Sequence, residues 1–430
     1  MGEPMQDIKG QIKLWIESHY ADNTRLLQQM VRIPSLEGNE KKIQHFIAKT
    51  LEDMKLKVDV WEPDSADMHA NPHFCGSRTQ FHNSPNVVGV LQGANPEQDG
   101  ARSIILNGHV DVVPIGDVSQ WETDPWSGKI LENRLYGRGS TDMKGGLAAS
   151  IIALQCLVDL NVQLMGDVIL ESVIDEESGG AGTLATLMRG YTADAAIIPE
   201  PTNLHIFAKQ QGSMWFRIKI KGRSAHGGTR YEGISAIEKA MYILSTVQSL
   251  ENVRNARITD PFYKDAPIPI PINVGVIKGG DWPSSVPDNV ELEGRMGIAP
   301  DETLEQAKRE LEDSVLQAAQ QDSWLKDNTP VIEWFGARWL PGQVGEDHPI
   351  VRTIVQGYRD VIQEEPTLKA SPWGTDGGLM QTMRDIPFVI FGPGVTEIAH
   401  FPNEYVEIDK VMKCSEILAV SLIEWCGTSS

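Results

Sequence analysis

Cysteine is scarce in this chain. Cys75, Cys156, Cys414 and Cys426 are the only four in 430 residues. No two of them stand in C-x-x-C spacing, so neither a zinc knuckle nor a thioredoxin-like redox motif is available. So few scattered thiols fit a reducing compartment, and we expect a cytoplasmic protein. Long apolar runs are missing too. None reaches the roughly 18 residues a membrane span needs. The opening MGEPMQDIKGQIKLWIE has no apolar leader core and no small-residue cleavage site. Positive charge is the third deficit. Lys and Arg number 38 against 59 Asp and Glu, a formal charge of −21. Such acidity repels phosphate backbones, so neither nucleic acid nor a membrane is an expected partner. Low-complexity segments and internal repeats are also lacking.

What is present is an ordinary globular composition, with 41% hydrophobic residues to fill a core. The length suggests two or three domains. Helical spacing of Ile8, Ile12, Trp15 and Ile16 opens a helical stretch over 6–31, broken near Tyr20. A second helix is expected over 41–54, a strand over 57–61, and a long polar loop over 63–85. Apolar runs of strand length follow at 86–91, 103–106, 168–173 and 195–198, with a helix over 145–160. Alternating strands and helices predict an α/β layer with a largely parallel sheet. The pattern changes near Lys209. Met214, Phe216, Ile218 and Ile220 alternate along one strand, then come a helix over 234–250, strands over 272–277 and 290–296, a helix capped by Asp301, and a strand over 330–335. The order β-α-β-β-α-β is ferredoxin-like. We place this inserted domain at 209–338. The flanking segments, 1–208 and 339–430, form the other domain and end in a helix at 350–362, a strand at 388–391 and a helix at 409–425.

Four polar clusters share one setting, just after an apolar strand. SIILNGHVD carries His109 and Asp111, VILESVIDEES carries Glu176 and Glu177, AAIIPEPT carries Glu200, and FVIFGPGVTEIAH carries His400. Sites in open α/β sheets form at the carboxyl ends of strands, so these groups are expected to converge. Asp142 joins them from the glycine-rich LYGRGSTDMKGG, just before a helix. Asp175, Glu176 and Glu177 are three successive acids on a sheet rim, and crowded carboxylates repel unless a cation intervenes. Imidazole and carboxylate donors without thiolates suit zinc, cobalt or manganese. His109, Asp142, Glu177, Glu200 and His400 are therefore the expected metal ligands. Asp111, two residues beyond His109, can accept that ring's other N–H. Glu176 remains free to move protons. His69, His73, Cys75 and His82 also cluster in sequence, but Pro72 breaks any i,i+4 pairing of His69 with His73, and a loop near the pocket is expected there instead.

HVDVVP, GRGSTDMKGG, DEES, PEPT, GRSAH and AHFPNE, in that order, resemble the M20 metallopeptidase family from about Leu26 to Glu424. The resemblance implies a zinc-dependent exopeptidase-like catalytic domain with an inserted ferredoxin-like lid that dimerises. It implies two Zn²⁺ per subunit, with Co²⁺ as a substitute. His109 and Glu200 would bind one ion, Glu177 and His400 the other, and Asp142 would bridge them. Glu176 would be the general base, and Asp111 the partner of a ligand. His226 would reach the partner subunit's active site to stabilise the oxyanion. Thr375 and Asp376, in WGTDGG, would line the pocket. The implied reaction is removal of an acyl group from the amine of a small molecule, as in acetylornithine deacetylation. The alternatives are deformylation of a formylaminopyrimidine, an exopeptidase activity, and a catalytically silent zinc-binding dimer. One departure bears on the substrate. Where many members carry a carboxylate-binding arginine on a lid strand, PDNVELEGRMGIAP has Gly297, and Arg295 stands two residues earlier.

Overall fold

The computed structural model describes residues 3–76, 78–98 and 100–429, with side chains from Ile8 onward. The chain divides into two units. The first comprises residues up to Lys209 together with Gln343–Lys369 and Thr375–Ser430; the second comprises Gln210–Gly342 and Ala370–Gly374.

The first unit is built on a nine-stranded sheet. Its centre is parallel: Val168–Val173, Ile104–His109, Ala196–Ile198 and Phe388–Ile390 lie side by side in that order. These strands are fully buried and mostly apolar, as expected of strands covered on both faces, with Asn107, His109, Glu171 and Ser172 the polar residues among them. The sheet is mixed rather than largely parallel. Lys57–Trp61 and Asn86–Leu91 join antiparallel at one side, and Ile206–Gln210 at the other. Helices Gly145–Asp159, Pro349–Ile362 and Ile408–Cys426 pack together as one set, and Ala181–Arg189 with Gly377–Arg384 as another. Gly146 is the point of closest approach. A Cβ there would lie 1.7 Å from the Pro199 carbonyl oxygen, so only glycine lets this helix start pass the segment leading to Glu200.

Two local expectations are corrected. The polar stretch 63–85 contains a helix, Ser65–Ala70, whose cap is Asp64: its carboxylate accepts from the Ala66 and Asp67 N–H groups. In the second unit the helix Leu304–Gln321 is capped by Thr303, not Asp301. Thr303 and Gln306 form a reciprocal capping box that satisfies two otherwise orphaned donors.

That second unit holds a four-stranded antiparallel sheet, in the order Ile272–Gly279, Asn289–Ile298, Gly212–Lys221, Val331–Trp339. With helices Ala236–Asn255 and Leu304–Gln321 this is the ferredoxin-like order. Met214, Phe216, Ile218 and Ile220 face a core completed by Val290, Leu292, Met296, Ile243, Leu311 and Val315. The alternate residues Trp215, Arg217 and Lys219 lie on the other face, where Arg217 and Lys219 pair with Glu293 and Glu333.

Candidate metal centre

The four central parallel strands end where the four polar clusters begin. His109 is the last residue of Ile104–His109, and Glu176 and Glu177 follow Val168–Val173 after a sharp turn. Asp175 takes the left-handed φ of 63° in that turn. Glu200 follows Ala196–Ile198, and His400 follows Phe388–Ile390 by way of a 3-10 turn, Thr396–Ile398. His400 itself has a φ of 67°. Such a conformation is rare for a histidine and is kept only where the surroundings hold it.

The structure brings the five expected ligands together around Asp142. Its Oδ1 lies 3.2 Å from His109 Nε2, and its Oδ2 lies 3.3 Å from His400 Nε2. One carboxylate therefore divides its two oxygens between two imidazoles. His109 Nε2 is also 3.7 Å from Glu200 Oε1, and His400 Nε2 is 3.1 Å from Glu177 Oε1. Metal bonds of about 2.0–2.1 Å in a tetrahedron put neighbouring donor atoms roughly 3.3 Å apart. The observed spacings match that edge length on both sides of Asp142. Among the described residues, the groups able to hold an ion are His109 with Glu176 and Glu200, and His109 with Asp142 and Glu177. His69 hydrogen-bonds the Ser65 carbonyl and His82 faces Glu62, and neither belongs to a candidate metal group among the described residues.

The electrostatics call for a cation. Burial pushes the carboxyls of Glu176 and Glu200 well above the usual range. For Glu176, neighbouring Asp376 and Glu200 add to the push. Asp142 is driven far down despite its burial, by its bonds to His109 and His400. His400 is raised to about 11 by Asp142 and Glu177.

Asp111 departs from expectation in detail. His109 Nδ1 lies 2.8 Å from the Asp111 backbone carbonyl, whereas the nearer carboxylate oxygen is 3.6 Å away. The chain turns after the strand and presents the carbonyl first. The Asp111 carboxylate instead accepts from the Glu177 N–H at 3.1 Å, linking the two ligand-bearing turns. Asp376 is buried and accepts from the Thr183 hydroxyl at 2.6 Å. Gly180 makes room for it: a Cβ there would come within 2.4 Å of Asp376 Oδ1. Thr375 is buried beside it in sequence. In the second unit His226 is exposed, and its Nδ1 accepts from the Gly228 N–H, capping the turn Gly227–Glu232. Arg295 is half-buried, and its guanidinium has no hydrogen bond or ion pair among the described residues. Arg230 is paired with Glu238.

Residues 105–424 match the model of peptidase family M20/M25/M40. The chain belongs to the M20 family and is a metal-dependent amide hydrolase. It is 33% identical over 409 residues to the N-formyl-4-amino-5-aminomethyl-2-methylpyrimidine deformylase of Bacillus subtilis, covering 90% of each chain. It is 29% identical over 360 residues to the acetylornithine deacetylase of Edwardsiella ictaluri, covering 82% of this chain and 88% of that one. A dinuclear metal-binding M20 peptidase of Bacillus subtilis shares the fold, with a TM-score of 0.65 and 18% identity over 96% of this chain and 100% of its own.

Proposed function

We propose that this enzyme uses two zinc ions to hydrolyse the formamide of a formylaminomethyl-pyrimidine, releasing formate and a primary amine. The observation that carries the substrate is the 33% identity to a deformylase of that description along 90% of both chains. The observation that carries the metal count is the division of the Asp142 oxygens between His109 and His400. His109 and Glu200 would hold one ion, Glu177 and His400 the other, with Asp142 between them. When bound, the ions lower the pKa of a shared water and polarise the scissile carbonyl. Glu176 takes the proton as water attacks the carbonyl carbon, then returns it to the departing amine. His226, presented by the second unit of a partner subunit in a homodimer, donates to the developing oxyanion.

A second reading, deacylation of an N-acyl amino acid in the manner of acetylornithine deacetylase, is supported by Arg295, whose unpaired guanidinium suits a substrate carboxylate. The discriminating experiment compares kcat/KM for a formylaminomethyl-pyrimidine, N-acetylornithine and its carboxamide. The pyrimidine should be preferred. A strong preference for the free carboxylate, abolished by Arg295→Ala, would reverse the assignment. Chelation should abolish activity and Zn²⁺ or Co²⁺ restore it; less than one metal equivalent in fully active enzyme would reject the two-metal reading.

A further inference from the structure

Two buried residues outside the ligand set join the stretches of chain that carry Asp142 and His400. Arg138 and Glu404 expose 2% and 1% of their surfaces. Arg138 Nη1 donates to Glu404 Oε2 at 2.6 Å. The other carboxylate oxygen, Oε1, accepts from the backbone N–H of Thr141 at 2.9 Å and of Asp142 at 3.2 Å. Arg138 Nη2 donates to the His400 carbonyl at 3.2 Å and the Pro114 carbonyl at 3.3 Å. The Gly137 N–H returns to the Glu404 carbonyl at 2.9 Å. A single ion pair thus holds the peptide entering the Asp142 turn and the peptide leaving His400.

The two halves of the centre depend on this pair unequally. His109 is 1% exposed, ends a central strand and has its Nδ1 on the Asp111 carbonyl. His400 lies on a loop, its side chain is 51% exposed, and its backbone is left-handed. Its ring faces the acidic ligands Asp142 and Glu177, at 3.3 and 3.1 Å. The loop itself is held by Arg138, which donates to the His400 and Phe401 carbonyls, alongside the bonds from the Val395 N–H to Thr141 Oγ1 and from the Thr396 hydroxyl to the Pro201 carbonyl further upstream.

We propose that Arg138 and Glu404 are positioning residues for the half of the centre formed by Asp142, Glu177 and His400. Without them the His400 loop and the Asp142 turn lose a shared anchor next to both ligands, and the ion of that half binds weakly while the ion at His109 and Glu200 stays. Partners of this kind are worth roughly 10–100-fold in metal affinity. The inference rests on the two-metal reading above.

The test is cobalt titration of metal-free protein, followed by the visible absorption of bound Co²⁺, on wild type, Glu404→Gln, Arg138→Lys and His400→Ala. Glu404→Gln presents an amide N–H where an acceptor is needed. Arg138→Lys keeps the charge but cannot reach the His400 carbonyl and Glu404 together. Both should lose one of two equivalents by about 10–100-fold, and the missing absorption should be the one missing in His400→Ala. Should Glu404→Gln not fold, Arg138→Lys carries the same criteria, as does the double variant Arg138→Met/Glu404→Leu, which leaves no unpaired buried charge. Two equivalents bound with wild-type affinity, or both weakened equally, would overturn the positioning role alone. A wild type that takes up fewer than two equivalents overturns the two-metal reading and this inference with it.

Discussion

Glu171 makes the pH dependence of stability a direct test of the sheet interior. It sits within the central strand Val168–Val173 and has no exposed surface. One carboxylate oxygen accepts from Asn107 Nδ2 at 2.9 Å. Burial pushes its pKa from 4.5 to about 7, opposed by the bonds from Asn107 and Thr186 and assisted by Asp376. A raised pKa means that the folded protein keeps a proton the unfolded chain has released. The stability this contributes is fully present below about pH 4.5 and is lost as pH rises through about 7. A shift of that size is worth about 3 kcal/mol. Glu171→Gln mimics the protonated carboxyl at every pH. Urea unfolding of both proteins at pH 5 and pH 8.5 should show the variant gaining about 2–3 kcal/mol on wild type between the two conditions. The comparison is a difference of differences, so the titration of groups not coupled to Glu171 cancels. A variant-minus-wild-type difference equal at both pH values would refute a raised Glu171 pKa in the folded state.

Glu176→Gln should keep its metal content and lose turnover by roughly 10²–10⁴-fold, whereas Glu177→Gln should weaken metal binding; metal analysis beside kcat separates them, and identical behaviour would break the division of roles. Gln211 is fully buried with neither amide atom partnered. Gln211→Met, of similar length, should therefore raise stability by about 1–3 kcal/mol, and a lower melting temperature would count against that reasoning. Mixing inactive His226→Ala with inactive Glu176→Gln subunits should restore part of the activity, since a mixed dimer has one site with both residues intact; no recovery after demonstrated subunit exchange would exclude action in trans.

The parts of this molecule that were legible in the sequence are those in which one residue type answers one physical demand. Apolar runs of strand length marked the buried strands, and the acids and histidines placed after them could only sit at strand ends. Because the four strands are neighbours and parallel, their carboxyl ends coincide, and a list of strand-end residues became a site. The helix Ser65–Ala70 escaped because its six residues are too few for apolar periodicity, although Asp64 gave a cap signal. The Thr303–Gln306 capping box was written in the sequence as T-x-x-Q, but Asp301, an equally good capping residue two positions earlier, competed for the reading.

What stayed hidden was whatever depends on backbone acceptors and donors, since every residue carries them alike. His109 takes a carbonyl where the adjacent carboxylate was the obvious partner. Arg138 and Glu404 lay within GRGSTDMKGG and AHFPNE, yet neither is a metal ligand by type, and their partners are mostly main-chain atoms of Pro114, Thr141, Asp142 and His400. Substrate choice is harder to read for a related reason. The metal ligands of an amide hydrolase are fixed by the ions and vary little with substrate, whereas the leaving group is recognised by whatever shape and polarity its surroundings present. Gly297 contributes no side chain, and its Cβ position would lie 2.5 Å from Gln211 Oε1. An arginine there would collide with that amide in its present position, so the family's usual carboxylate contact cannot be regained by a single substitution at 297 without moving Gln211 as well.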